Sequence, residues 1–182
     1  MKTIPLWVCF VLFFMLSFCM AADFDYKAEV FGEIGVSQIH DDESSLGTGF
    51  DFGGGIGFRP KSRIGVEFEI DYLSFSRDFP SGVRFEGNTT NFGGNLQFYF
   101  AHGSVEPYVF AGAGITHFDQ TNTFPDSEIF ESTQDSFAFP FGGGIRFFMS
   151  PRLSLRPEFR WSWNGISFMN QIRGSVSVGY HW

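Results

Sequence analysis

The sequence predicts an all-β fold, an eight-stranded antiparallel up-and-down barrel, and three observations carry that prediction. Apolar residues alternate with small or polar ones in eight separate stretches, the period of a strand with one apolar face. The breaks between stretches are alternately short and long, as they are when one sheet winds between two rims that face different surroundings. Beyond the N-terminal apolar run, no apolar stretch approaches the ~20 residues of a spanning helix, so any membrane crossing is made by strands.

The chain begins "MKTIPLWVCFVLFFMLSFCMAADFDY". One lysine, an apolar run from Ile4 to Met20 and then small residues read as a secretory signal peptide over residues 1–21. Cleavage is expected after Ala21, with Cys19 and Ala21 at the two small-residue positions. Phe18 before Cys19 is too large for a lipoprotein signal. Residues 22–182 are then a single domain with no cysteine, since Cys9 and Cys19 leave with the leader. Cleavage removes one lysine from 12 bases and none of the 20 acids, which leaves a net charge of −9. An acidic chain of this kind is not a nucleic-acid binder.

The first strand, "YKAEVFGEIGV", sets Tyr26, Ala28, Val30, Ile34 and Val36 against Lys27, Glu29 and Glu33. The second, "GFDFGGGIGF", sets Phe50, Phe52, Ile56 and Phe58 against Asp51 and glycines. The third, "RIGVEFEIDY", sets Ile64, Val66, Phe68, Ile70 and Tyr72 against Glu67, Glu69 and Asp71. The fourth, "NFGGNLQFYF", sets Phe92, Leu96, Phe98 and Phe100 against Asn91, Asn95 and Gln97. In the fifth, "PYVFAGAGITHF", the apolar face is Val109, Ala111, Ala113 and Ile115. The sixth, "FAFPFGGGIRFF", sets Phe137, Phe139, Phe141, Ile145 and Phe147 against Arg146. The seventh, "LSLRPEFRWSW", sets Leu153, Leu155, Phe159, Trp161 and Trp163 against Arg156, Glu158 and Arg160. The eighth, "GSVSVGYHW", sets Val176, Val178, Tyr180 and Trp182 against Ser175, Ser177, Gly179 and His181.

Short turns fall at "RPKS", "AHGSVE" and "MSPR", and long polar loops are expected at "SQIHDDESSLGT", "SRDFPSGVRFEGNTT", "DQTNTFPDSEIFESTQDS" and "NGISFMNQIRG". The opposite face carries charges that a dry core would not accept unpaired. A soluble lipocalin-like barrel would put the apolar face inside. The leader and the aromatics near strand ends (Tyr72, Trp161, Trp163, Tyr180) favour the reverse, apolar side outward into lipid.

The ending "VSVGYHW" resembles the C-terminal signature of outer-membrane β-barrels, with Val176, Val178, Tyr180 and Trp182 at the matching positions. "FGGGIRF", "PYVFAGAGI" and "LSLRPEFRW" are similar to stretches of the small eight-stranded class, the barrel part of the OmpA and OmpX proteins. The resemblance implies a monomeric barrel in the bacterial outer membrane, surrounded by its lipids. It further implies that the last strand is read by the barrel assembly machinery and pairs with the first. With nothing following Trp182, the wall-binding half of the OmpA pattern is not expected.

"FDFGGGIGF" and "FPFGGGIRF" recur at an offset of 89 residues, which places the second and third strands opposite the sixth and seventh. On the polar face the repeat reverses charge: Glu67 corresponds to Arg156, and Asp71 to Arg160. An eight-stranded barrel is just wide enough for side chains to fill. Glu67, Glu69, Asp71, Arg146, Arg156, Glu158 and Arg160 are therefore expected to form an ion network in the lumen. Gly53, Gly55, Gly142 and Gly144 would leave room for it.

Catalytic, cofactor and metal motifs are not found. His40 with Ser74 and Asp78 is a candidate acyl-hydrolase or acyltransferase set near the outer rim, against the plainer reading of solvated polar loops. His117, followed by Phe118 and Asp119, does not match the His-x-Ser of barrel deacylases. Asp41, Asp42, Glu43, Asp119, Asp126, Glu128, Glu131 and Asp135 make two loops acidic, without an ordered calcium-loop spacing. "NTT" at Asn88 has no meaning as a glycosylation acceptor on a bacterial barrel. The function expected is that of a structural or interaction barrel with a closed lumen and four surface loops that contact a ligand. A lipid-modifying enzyme and a small-conductance pore are the alternatives.

Overall fold

In a computed structural model, residues 27–40, 45–78, 82–124, 129–165 and 170–182 are described, so the expected leader over residues 1–21 lies outside them. Eight strands follow one another: β1 (Ala28–His40), β2 (Ser45–Lys61), β3 (Ile64–Asp78), β4 (Arg84–Tyr99), β5 (Val105–Thr123), β6 (Ile129–Ser150), β7 (Leu153–Asn164) and β8 (Asn170–His181). Each pairs antiparallel with the next, and β1 pairs with β8 from Glu29↔His181 to His40↔Asn170, which closes the barrel. The seam is finished by Trp182, whose N–H donates to the Ala28 carbonyl at 3.1 Å and whose carbonyl accepts from the Ala28 N–H at 3.2 Å. Closure leaves no sheet edge in the bilayer, where an unpaired backbone group would cost several kcal/mol.

Period-2 alternation decides the two faces. Phe50 is 79 % exposed, and Ile34, Phe68, Phe92, Phe139, Phe159 and Val178 also stand on the outer surface. Between them point inward Glu33, Asp51, Glu67, Glu69, Asp71, Arg156, Glu158 and Arg160, all buried. The β4–β5 turn is short: Phe100 N–H donates to the Pro107 carbonyl at 2.9 Å, and Gly103 adopts φ 125°, a backbone state that side chains resist.

The long hairpins differ from expectation. "DQTNTFPDSEIFESTQDS" is mostly paired strand, with β5 reaching Thr123 and β6 starting at Ile129, and those two residues are partners. The β3–β4 hairpin likewise stays paired out to Asp78↔Arg84. The alternation continues through these segments, but its phase flips. On β3 the apolar residues up to Tyr72 face out, whereas Leu73 and Phe75 face in and are buried. The same step separates Val36 from Ile39, Phe92 from Phe85, and Ile115 from Phe118. Ile39, Leu73, Phe75, Phe85 and Phe118 gather inside as an apolar cluster, with the Phe75 ring centroid 5.7 Å from Phe85 and 6.2 Å from Phe118.

Candidate functional site

The lumen is filled in tiers. Nearest the short turns, Arg59 Nη1 donates to both carboxylate oxygens of Glu106 at 3.0 and 2.8 Å, and its Nη2 lies 2.9 Å from His102 Nδ1. Above it, Arg146 donates to Glu29 at 2.6 Å, and His181 Nδ1 lies 3.5 Å from the other Glu29 oxygen. Arg156 Nη1 donates to Glu67, and its Nε donates to Ser177 at 3.0 Å. One tier further, Arg160 forks between Glu69, at 2.7 Å through Nη2, and Glu158 at 3.0 Å, while Tyr108 O–H donates to Glu158 at 2.6 Å. Then Arg173 spans Glu33 and Asp71, each at 3.1 Å, and Ser37 O–H donates to Asp51 at 2.6 Å. The apolar cluster lies beyond.

Local sequence explains why this fits. A Cβ on Gly55 would stand 2.8 Å from the Phe31 ring, and one on Gly144 would stand 2.6 Å from Tyr108 Oη. The glycine runs therefore make room for inward rings, and those rings carry cations. Arg156 stacks over Phe31 at 4.4 Å and Arg160 over Phe110 at 5.0 Å.

All seven residues expected in the network are buried and charged-partnered. Arg160 lies 3.9 Å from Asp71, its repeat counterpart, but closer to Glu69 and Glu158, because strand tilt offsets residues along the axis. The sequence reading missed Glu29, Glu33, Asp51, Arg59, Glu106, Arg173 and His181. Glu29, Glu33, Asp51 and His181 sit on the polar side of alternating stretches, whereas Arg59, Glu106 and Arg173 fell in segments read as turns or a loop. Eight buried carboxylates thus face five buried guanidiniums among the described residues. The surplus acids rely on hydroxyls and amides, as with Asn91 Nδ2 donating to Asp71 at 2.9 Å. A cavity of about 20 Å³ beside Glu69, Asp71, Arg160 and Arg173 has room for one water.

The other candidates separate. Ser74 and Asp78 share β3 four residues apart, hence ~13 Å along the strand, while His40 pairs with Ser45 and Asn170. The three do not form a catalytic set. Asp41, Asp42, Glu43, Asp126 and Glu128 lie outside the described residues, and Asp119, Glu131 and Asp135 are on paired strands. Asn88 is also in a strand, where it accepts from Tyr72 O–H at 2.8 Å. A cluster missed from sequence forms on the outward face beyond Ile115, above the apolar band. His117 Nδ1 lies 2.5 Å from Asp135, its Nε2 3.5 Å from Asp119, and Thr133 O–H donates to Asp119 at 2.7 Å. The bond to Asp135, with Asp119 nearby, raises the His117 imidazole above its ordinary value.

A closed eight-stranded barrel with an apolar exterior and a charged interior is the architecture of outer-membrane proteins, and residues 8–181 match the family model described as outer membrane protein beta-barrel domain. The chain belongs to that family. It is a protein of the bacterial outer membrane, seated in its lipid. The structure is similar to Neisserial surface protein A (TM-score 0.66, 14 % identity, covering 85 % of this chain and 97 % of that one). It is also similar to Ail, the attachment invasion locus protein of Yersinia pestis, solved with the heparin analogue sucrose octasulfate (TM-score 0.59, 12 % identity, 86 % and 99 % covered). The outer membrane enzyme PagL shares the fold too (TM-score 0.50, 14 % identity, 84 % and 98 % covered). At these identities the likeness is one of fold, and one fold hosts many functions. A comparison with curated protein sequences gives no match.

Proposed function

We propose that this protein is a non-enzymatic structural and interaction barrel whose lumen is closed to solutes and whose outer hairpins contact a surface ligand. The observation supporting closure is the unbroken filling of the lumen, from Arg59–Glu106 through Arg173–Asp71 to the Phe75 cluster. The filled lumen supports this reading over a small-conductance pore. The test is planar-bilayer recording: the parent protein should give conductance indistinguishable from the bare membrane, and steady ohmic channels would overturn the reading.

The assembly role of the last strand belongs to the same proposal. Val176, Val178, Tyr180 and Trp182 all lie on the lipid-facing side of β8, and Trp182 completes the seam with Ala28. Deleting Trp182 should lower outer-membrane levels in cells far more than it slows refolding into detergent. Equal surface levels would show that the assembly machinery does not read this residue.

A second reading, outer-leaflet lipid modification, is favoured by one observation, the exposed His117–Asp135 pair. Release of free fatty acid from outer-leaflet lipids by the purified barrel, abolished in His117→Ala, would replace the first reading with this one.

A further inference from the structure

The outward face of β8, β1 and β2 is broken by a trough. Gly174 sits there between Phe159 on β7 and Val36 on β1, its partners in register, and a Cβ at this position would meet nothing within 4 Å. Ile34, Val36, Phe52 and Val176 wall the trough, and Phe50 closes its outer end. All of these belong to the apolar band. On the far side of the Phe50 ring the surface changes character within one step of the strands. Thr48, Ser74, Ser76, Glu86 and Asn88 line a second, polar hollow that Phe50 also borders. Thr48 follows Phe50 toward the outer rim of β2, and Ser74 pairs with Phe50 across to β3. An apolar trough in the outer half of the bilayer therefore runs directly into a polar hollow at headgroup height.

We propose that this surface docks one outer-leaflet lipid with a glycosyl headgroup. An acyl chain lies over Gly174, and the sugar ring occupies the hollow above Phe50. The position argues for a lipid, because the apolar trough faces hydrocarbon and the hollow meets the boundary where a chain joins its headgroup. The chemistry of the hollow selects the headgroup. It offers exposed hydroxyls, an amide and a carboxylate, and no Lys or Arg lines it. Arg84, on the same strand as Glu86, is held by it at 2.8 Å. A phosphate would meet a carboxylate and a guanidinium already paired with it, whereas sugar hydroxyls donate to Glu86 and accept from Ser74, Ser76 and the Asn88 amide. The bond from Tyr72 to the Asn88 carbonyl oxygen fixes that side chain with its NH₂ still available as donor. Phe50, 79 % exposed, is the ridge on which chain and headgroup meet. The site is independent of whether the lumen conducts.

Native mass spectrometry of the full barrel released from detergent tests the proposal. The protein is offered an equimolar mixture of a hexosyl diacylglycerol and a phosphatidylglycerol with identical chains. The sugar lipid should be retained at least tenfold over the phospholipid. Gly174→Phe, which fills open space and should leave the heat-dependent gel shift of the folded barrel unchanged, should lower retention at least fivefold. Ser74→Ala with Asn88→Ala should instead abolish the preference while both lipids still bind, and this pair keeps the test alive if Gly174→Phe fails to fold. Equal retention of the two lipids by the parent would overturn the proposal. So would unchanged binding in a folded Gly174→Phe barrel, or a dimer of this chain that Gly174→Phe disperses.

Discussion

The lower and upper halves of this barrel solve opposite solvation problems with the same backbone. In the bilayer, Phe68 and Ile70 face out while Glu67 and Glu69 face in; a few residues higher, Leu73 and Phe75 face in while Ser74 and Ser76 face out. The lower half is apolar outside because lipid surrounds it and charged inside because carboxylates and guanidiniums pair with one another there. The upper half is built like a soluble barrel, apolar inside and polar outside. The difference teaches that alternation records only that a segment is a strand. Which face is apolar depends on the medium, so the flip of phase between Tyr72 and Leu73 marks where the chain leaves the membrane.

The comparison predicts unequal sensitivity to substitution, and the largest effect belongs to the lower half. Arg156→Met leaves Glu67 buried without its guanidinium and should cost about 3–5 kcal/mol, read as a lower urea midpoint for unfolding from detergent. Glu67→Gln in the same chain should recover much of that loss, since the pair is then removed together. Strictly additive effects would mean the two do not couple. Next comes the upper half. Phe75→Ala should cost about 3 kcal/mol, the low end for a buried ring, because the cluster lies toward an open end and can relax. Since Phe75 is far from the ion pairs, this loss should add to that of Arg156→Met.

The same chemical change should read differently at two heights. Val178→Asp, on the lipid face, should cost on the order of 1–2 kcal/mol, less than a basic residue at mid-membrane. Ser76→Asp, also outward but above the flip, should stay within about 0.5 kcal/mol. Equal costs would place both in one medium and erase the boundary. The smallest effect is at His117. An NMR titration should give a midpoint above the ordinary imidazole value of about 6.5, and Asp135→Asn should bring it back down. Because the folded-state value is the raised one, pairing with Asp135 is complete below the unfolded value and is lost as pH rises through the folded one.

Period 2 made the strands inside the bilayer legible, and the charge-reversed repeat pointed at Glu67 and Arg156, which touch. It could not reach Arg173, which lies on β8 outside the repeat, as does its partner Glu33 on β1. The upper hairpins escaped for a different reason. Phe85 sits among Arg, Glu and Asn, and with the phase reversed it looks like a stray aromatic in a polar loop, while Phe118 ends the fifth stretch out of phase with Ile115. Asp119 and Asp135 then appeared as loop residues apart from His117 at the end of the fifth stretch, because their proximity depends on the pairing of β5 with β6 that the loop reading did not contain.

The paired extension of β5 has a consequence for how the cell surface is attacked. From Thr116 to Thr123 this strand is hydrogen-bonded to β4 on one side and β6 on the other. A protease must draw a substrate into its cleft as a single extended chain, and a central strand cannot be supplied that way without first being peeled from both neighbours. Proteases added to intact cells should therefore spare residues 116–123.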